Sequence, residues 1–191
     1  MKSIEQQKTV LHVGCGAYNP DKLCKVFKNG DWKEIRYDID ERVNPDIVGD
    51  IRKMDAVEDN SVDAVYSSHN LEHLYDHEVT VALKEFYRVL KVGGLAVVTV
   101  PNLQVLAKYI ESGDIDEKIY DSPAGPVSPI DIIFGFRASI EKGNEFMAHR
   151  TAFTPKRLQS IFEKIGFNHI KLSITDSDFN LWVTGYKPPA K

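Results

Sequence analysis

The spacing of apolar residues changes along this chain. Short apolar or alternating runs at residues 9–13, 34–39, 46–48, 62–67 and 95–100 predict strands, each bounded by polar or turn-forming residues. Between several of them the period lengthens. Val79, Leu83, Phe86 and Leu90 recur at helical spacing, which predicts a helix over residues 72–90 that buries one stripe and stops at Gly93-Gly94. Asn19-Pro20 supplies an N-cap and a first-turn proline for a short helix over residues 21–27, with Gly30 beyond its end. Strands alternating with helices predict an α/β fold with a parallel sheet covered on both faces.

After Pro101 the alternation lapses. Residues 102–152 combine a helix near 103–110, the proline-spaced string SPAGPVSP and a further helical stretch through Ile132 and Phe136. The segment is too long for an ordinary connection and too short for a second domain. The chain therefore reads as one domain, residues 1–191, with 102–152 as an acceptor-side insertion or lid. Regular structure returns at Phe153-Thr154-Pro155. Phe153 and Leu158 occupy staple positions around a threonine N-cap, Pro155 takes the first helical position and Gly166 is the stop. The tail HIKLSIT, DSD, FNLWVTGY predicts an antiparallel hairpin.

Composition then narrows the class. With 191 residues, 42% hydrophobic and 27% charged, the chain can bury a core that needs no disulfide or metal for stability. A net charge of -4 argues against a nucleic-acid surface. The longest apolar run, 95–100, is too short to span a bilayer, and the polar start MKSIEQQK lacks the apolar segment of a signal peptide. The expected location is cytoplasmic, with no membrane partner. Cys15 and Cys24 form no metal or redox pair, which fits a reducing compartment.

Candidate chemistry begins at TVLHVGCGAYNP. Gly14 and Gly16 directly follow the first strand, where a turn without Cβ atoms lets a ligand lie against the backbone. Asn19 stands where a dinucleotide fingerprint needs its third glycine, and no phosphate-loop motif exists, so pyrophosphate is not the favoured ligand. Asp38 closes the second strand at nearly the spacing at which a carboxylate meets ribose hydroxyls, and Asp50 ends the third. Two acids beside a glycine turn suit a ligand with a ribose, an exocyclic amine and positive charge.

The strings LHVGCG, YDID, DIVGDI, DNSVDAVYSSHNLEHL, YRVLKVGGLAVVTVPN and FTPKRLQSIFEKIGF, in this order, resemble the small, type 11-like class I S-adenosylmethionine-dependent methyltransferases. The resemblance covers nearly the whole chain and is strongest over residues 59–102. It implies a Rossmann-like three-layer sandwich with a seven-stranded, mostly parallel sheet, an antiparallel last strand, and S-adenosyl-L-methionine as cofactor. By that resemblance Gly14, Cys15 and Gly16 border the methionine part, Asp38 holds the ribose and Asp50 the adenine amine. Ile39 and Ile51 join the cofactor-binding set, and Ser68 and His69 line the methyl end. Two positions depart from the pattern: His12 replaces the acid usual two residues before the first glycine, and Tyr18 replaces a glycine often found after the turn.

SSHNLEHL also spells H-x-x-E-H through His69, Glu72 and His73, a zinc-peptidase signature when it lies on a helix. His77 extends the spacing. Yet His69 and Asn70 fall in the strand-to-helix turn, where two histidines four apart share no face, so no metal is expected. In the methyltransferase reading Glu72 opens the helix at the positive end of its dipole, and His73 packs or frays nearby. Cys15 reads as a small residue in a tight turn, Trp182 as core, and Asp176 with Asp178 as a turn signal.

With a sulfonium cofactor the methyl group is already electrophilic, so the protein chiefly aligns an acceptor atom about 3 to 3.5 Å away. The acceptor, a small molecule or a glycan, is expected under residues 102–152, because open α/β sheets bind ligands outside the carboxyl ends of their strands. That segment is predicted to bring His149 toward the methyl end, opposite His69. One of these two catalytic candidates would take the acceptor proton. The rival reading is a non-catalytic S-adenosylmethionine or S-adenosylhomocysteine binding module, for which His12 and Tyr18 leave room.

Overall fold

A computed structural model describes residues 7–122, 124–175 and 179–189. The first half supplies β1 (Lys8–Val13), β2 (Trp32–Asp38), β3 (Ile47–Val48), β4 (Val62–Ser68), α1 (Asp76–Val89) and β5 (Leu90–Pro101). Residues 102–152, expected to form an insertion, carry α2 (Leu103–Ser112), β6 (Tyr120–Ser122), β7 (Gly125–Val127), α3 (Pro129–Phe134) and α4 (Arg137–Ile140). Helix α5 (Pro155–Ile165) and strands β8 (Asn168–Thr175) and β9 (Asn180–Tyr186) follow.

The main sheet has the order β3-β2-β1-β4-β5-β9-β8. Its pairings are parallel except at β9, which runs antiparallel to both β5 and β8. This is the seven-stranded, Rossmann-like sheet that the resemblance implies. Strand order reverses at β1, which sits between β2 and β4.

Alternation along the strands assigns the two faces. Leu11, Val13, Val65, Val98 and Val183 meet Val79, Leu83 and Phe86 of α1 and Leu158 and Phe162 of α5 in the larger core. On the other face Val10, Ala64, Tyr66 and Val97 meet Leu23, Cys24 and Phe27 from the β1–β2 connection. That second cover is thin, because the helix predicted over residues 21–27 reduces to a 3-10 turn at Lys25–Phe27. Asn19 captures the Asp21 amide on its side chain at 2.9 Å and the Lys22 amide on its carbonyl at 3.0 Å. So short a segment cannot hold a helix by itself once its first turn is diverted.

The predicted helix over 72–90 is also redrawn. A separate 3-10 turn, Leu71–His73, precedes α1, whose first-turn Glu78 accepts the Tyr75 amide at 2.9 Å. At the other end the amides of Asn60 and Ser61 take the carbonyls of Arg88 and Val89 at 3.0 and 2.9 Å, and the chain passes straight into β5. Gly93 and Gly94 are not the stop. They lie inside β5, Gly93 at φ 78, bonded to Lys187 through Gly93 N and Gly94 O.

The α5 signals hold as read: Thr154 Oγ1 accepts the Arg157 amide at 3.3 Å, Phe153 and Leu158 are buried, and Gly166 ends the helix at φ 108. The tail hairpin forms as β8 and β9; its Asp176 to Asp178 turn lies outside the described residues, as does most of the MKSIEQQK start. Within the insertion a β6–β7 hairpin occupies part of the string read as a loop. The helical stretch through Ile132 and Phe136 is split into α3 and α4 at Gly135, where a Cβ would come within 1.9 Å of the Met147 carbonyl oxygen. Leu106, Val127, Ile132 and Phe179 give this segment its own apolar cluster. Among the described residues no helix is long and apolar enough to cross a membrane.

Candidate functional site

The reversal of strand order opens a crevice at the carboxyl ends of β1 and β4. On one lip Gly14 and Gly16 take φ 60 and 62. A Cβ on Gly14 would lie 1.8 Å from Asn70 Oδ1 on the other lip, so only glycine fits. Asn70 Nδ2 donates to the Val13 carbonyl at 2.9 Å and to Ser67 Oγ at 3.1 Å, tying the lips together. Asp38 is buried, with Oδ2 accepting the Gly16 amide at 2.7 Å and Oδ1 the Asp40 amide at 2.9 Å. Each oxygen keeps capacity for a further donor. Arg36 braces the turn from outside, donating to the Gly16 carbonyl at 2.5 Å and the Asn44 carbonyl at 2.8 Å.

Several predicted positions acquire definite surroundings. Cys15 is buried, its amide donates to the Tyr37 carbonyl, and burial pushes its thiol pKa up, so it is a poor nucleophile. His12 Nδ1 lies 2.6 Å from Glu34 Oε1, which places a carboxylate beside the histidine from the neighbouring strand. Burial lowers the His12 pKa against the opposing pull of Glu34. Asp50 lies two residues past β3 and is engaged by Arg52, with Nε at 3.0 and 2.9 Å from its two oxygens and Nη2 at 2.5 Å. Those bonds hold its carboxyl below the ordinary value, and an adenine amine would compete with Arg52 for it. Ile39 is exposed, Ile51 packs against the larger core, and Ser68 ends β4 half-buried.

His69 begins the next turn at φ 54, and its Nδ1 lies 3.0 Å from Glu72 Oε1. Glu72 does not open a helix. It sits in the 3-10 turn with 1% exposure, which removes the helix-dipole role read from the sequence. An ionised carboxylate only accepts, so His69 Nδ1 carries the hydrogen and Nε2 keeps a lone pair. Partial desolvation disfavours the charged His69, but the hydrogen bond and charge of Glu72 prevail and its pKa is raised. Burial likewise opposes ionisation of Glu72, and the hydrogen bond from His69 with the nearby His73 and His149 brings it below the ordinary value.

The insertion is pinned onto this turn. The amides of Arg150 and Thr151 donate to the Glu72 carbonyl at 2.7 and 3.2 Å, and the His149 and His73 ring centroids lie 5.0 Å apart. His149 Nδ1 is 2.8 Å from the Ile132 carbonyl, and burial lowers its pKa. His149 and His69 thus line one cavity, with His73 and Glu72 on the same wall. A cavity of about 300 Å³ opens against these residues, lined also by Ile132, Phe136 and Phe179. The sequence reading missed the burial of Glu72 and the contacts of Asn70 and Arg36. Asn70 and Glu72 stood within a quoted motif, whereas nothing marked Arg36.

Residues 11–98 match the family model of a methyltransferase domain. That match and the fold together support a methyltransferase domain that uses S-adenosylmethionine. Similar solved structures include a SAM-dependent methyltransferase from Archaeoglobus fulgidus, at 16% identity and TM-score 0.60 over 94% of this chain and 86% of that one. Another from Thermotoga maritima has 16% identity and TM-score 0.61 over 96% and 84%. An O-methyltransferase family protein from Burkholderia thailandensis has 8% identity and TM-score 0.60 over 96% and 52%. At such identities the likeness speaks for the fold. No curated protein sequence matches the chain.

The methyltransferase takes S-adenosyl-L-methionine, which supplies an electrophilic methyl group when bound. The crevice fits it: a turn in which Gly14 and Gly16 leave the backbone open, a buried carboxylate with capacity to spare, and a position at the reversal of strand order. The methyltransferase-domain match favours catalysis over the rival reading of a non-catalytic module.

Proposed function

We propose that this methyltransferase acts on a small-molecule or glycan acceptor held beneath residues 102–152, which serve as a lid. The cofactor lies along Gly14, Cys15 and Gly16, with Asp38 and Ile39 at the ribose, Asp50 and Ile51 at the adenine, and Ser68 and His69 at the methyl end. One observation carries the acceptor side: the His69–Glu72 pair, beside the crevice, lines the cavity of about 300 Å³. The His69 side chain is 43% exposed, and its Nε2 lone pair is the one left to accept a proton. Glu72 fixes the tautomer and stabilises the imidazolium, the role a buried carboxylate plays toward a catalytic histidine. His149, anchored by Ile132, shapes the facing wall. The apolar lining from Ile132, Phe136 and Phe179 favours an acceptor with an apolar or planar portion.

The test is single-turnover methyl transfer with cofactor affinity measured separately by calorimetry. His69→Ala should lower the rate about 10²- to 10⁴-fold while cofactor affinity stays nearly unchanged. A rate within tenfold of the parent would remove His69 as the proton acceptor.

A further inference from the structure

Glu72 raises a question that the proton-transfer role does not answer. Its Oε1 is engaged by His69, but among the described residues Oε2 has no hydrogen-bond partner, although Glu72 is only 1% exposed. Buried carboxylate oxygens are ordinarily satisfied, so an orphan calls for an explanation. His73 and His149 stand beside it in complementary states. His73 Nδ1 lies 3.2 Å from the Ala148 carbonyl and His149 Nδ1 2.8 Å from the Ile132 carbonyl. A carbonyl only accepts, so both Nδ1 atoms carry hydrogen and both Nε2 atoms keep lone pairs. Such backbone bonds are the kind that orient metal-bound imidazoles. One ligand atom from each of Glu72, His73 and His149 lies within 4.8 Å of the others.

We propose that Glu72, His73 and His149 bind one divalent cation of the zinc class, with an open coordination position facing the cavity. Two neutral imidazoles and a carboxylate suit zinc or its close neighbours, whereas magnesium and calcium favour oxygen ligands in larger number. Tetrahedral ligands around zinc stand about 3.3 Å apart, so the three side chains close inward when the ion enters. The sequence motif pointed to the wrong pair. The second histidine ligand is His149 from the insertion, while His69 bonds the carboxylate from outside, as a supporting group does. All three ligands line the cavity, so the open position faces the acceptor. A hydroxyl or thiol bound there would lose its proton more readily, with His69 as recipient. That last step rests on the proposed acceptor pocket; cation binding does not.

The experiment uses the full chain, prepared without a metal-affinity tag, stripped with chelator and titrated with Co²⁺. One equivalent should bind with the visible absorption of a low-coordinate site, and Zn²⁺ should displace it. His73→Ala and His149→Ala should each weaken Co²⁺ binding at least about 100-fold, while His77→Ala, outside the cluster, leaves it unchanged. His149→Asn serves as a second variant should alanine disturb the fold. S-adenosylmethionine affinity, measured on the same samples, should stay the same in all of them, so loss of cation binding is separable from failure of the methyl-transfer reading. Absence of saturable Co²⁺ binding to the parent protein overturns the proposal, as does equal affinity in the folded His73 and His149 variants. Either result would leave Glu72 as a carboxylate that serves His69 alone.

Discussion

At the cofactor crevice the contacts run largely through the backbone: Asp38 to the amides of Gly16 and Asp40, Arg36 to the carbonyls of Gly16 and Asn44, Asn70 to the carbonyl of Val13. At the proposed acceptor wall Glu72, His73 and His149 converge on one another, His69 bonds Glu72, and His149 arrives from a segment pinned to Glu72 by two amides. The first region uses what any α/β sheet offers at a reversal of strand order. The second also draws on residues 102–152. A change in the crevice should therefore act through backbone geometry and reach the whole fold, whereas a change in the wall should act on chemistry or on the insertion.

The largest effect that would test this contrast is at Gly14. Gly14→Ala forces a left-handed conformation costing about 1 to 2 kcal/mol and drives a methyl group into Asn70, costing about 1 to 3 more. Denaturant unfolding should show a loss of about 2 to 5 kcal/mol. Adding Asn70→Ala should recover the steric part, less the loss of its bonds to Val13 and Ser67, and leave the strain. A loss below about 1 kcal/mol would mean that the two lips do not meet. Asp38→Ala should be milder. It removes the charged acceptor proposed for the ribose, and cofactor affinity by calorimetry should fall by about 1 to 3 kcal/mol. Unchanged affinity would take Asp38 out of the site, and a parallel change in Co²⁺ binding would show that the two regions are not separate.

The same contrast explains what was legible in the sequence. Gly14, Gly16 and Asp38 follow apolar runs, and a strand that ends at a crevice leaves its mark within a few residues. Helix α5 was readable for a similar reason, since Thr154, Pro155, Leu158 and Gly166 are all local signals. The Glu72 cluster was not readable. His73 meets the Ala148 carbonyl across 75 residues, and no local period encodes such an encounter. The motif H-x-x-E-H suggests a helix start, whereas the chain there makes a 3-10 turn that buries Glu72. Gly93-Gly94 misled for the converse reason. The helix ends because Asn60 and Ser61, distant in sequence, take its last carbonyls, and the glycines serve a strand pairing with Lys187.

The smallest predicted effect concerns whether the insertion loosens as a unit. Asp131, buried in α3, accepts from the Ser128 amide and hydroxyl and from Arg137 Nε, and Arg137 also reaches Asp116. Burial alone would raise its pKa, but these bonds from Arg137 and Ser128 lower it to about 2. A depressed folded value means that the stabilisation is present above the unfolded carboxyl pKa, near 4, and is lost as pH falls toward about 2. Arg137 is half-exposed, so screening reduces the contribution to about 1 to 2 kcal/mol. Amide exchange corrected for its intrinsic pH dependence should show protection across residues 128–140 falling about three- to sevenfold between pH 6 and pH 3, beyond any loss in β1 and β4. Some loss there is expected, because Asp63, which accepts from Thr9 of β1, also has a lowered pKa. Asp131→Asn separates the two: protection in the insertion should already be low at pH 6 and should no longer vary with acid, while β1 and β4 behave as in the parent. If the insertion and β1 instead lose protection together in both proteins, the acceptor wall is not an added unit, and the contrast between the two regions fails.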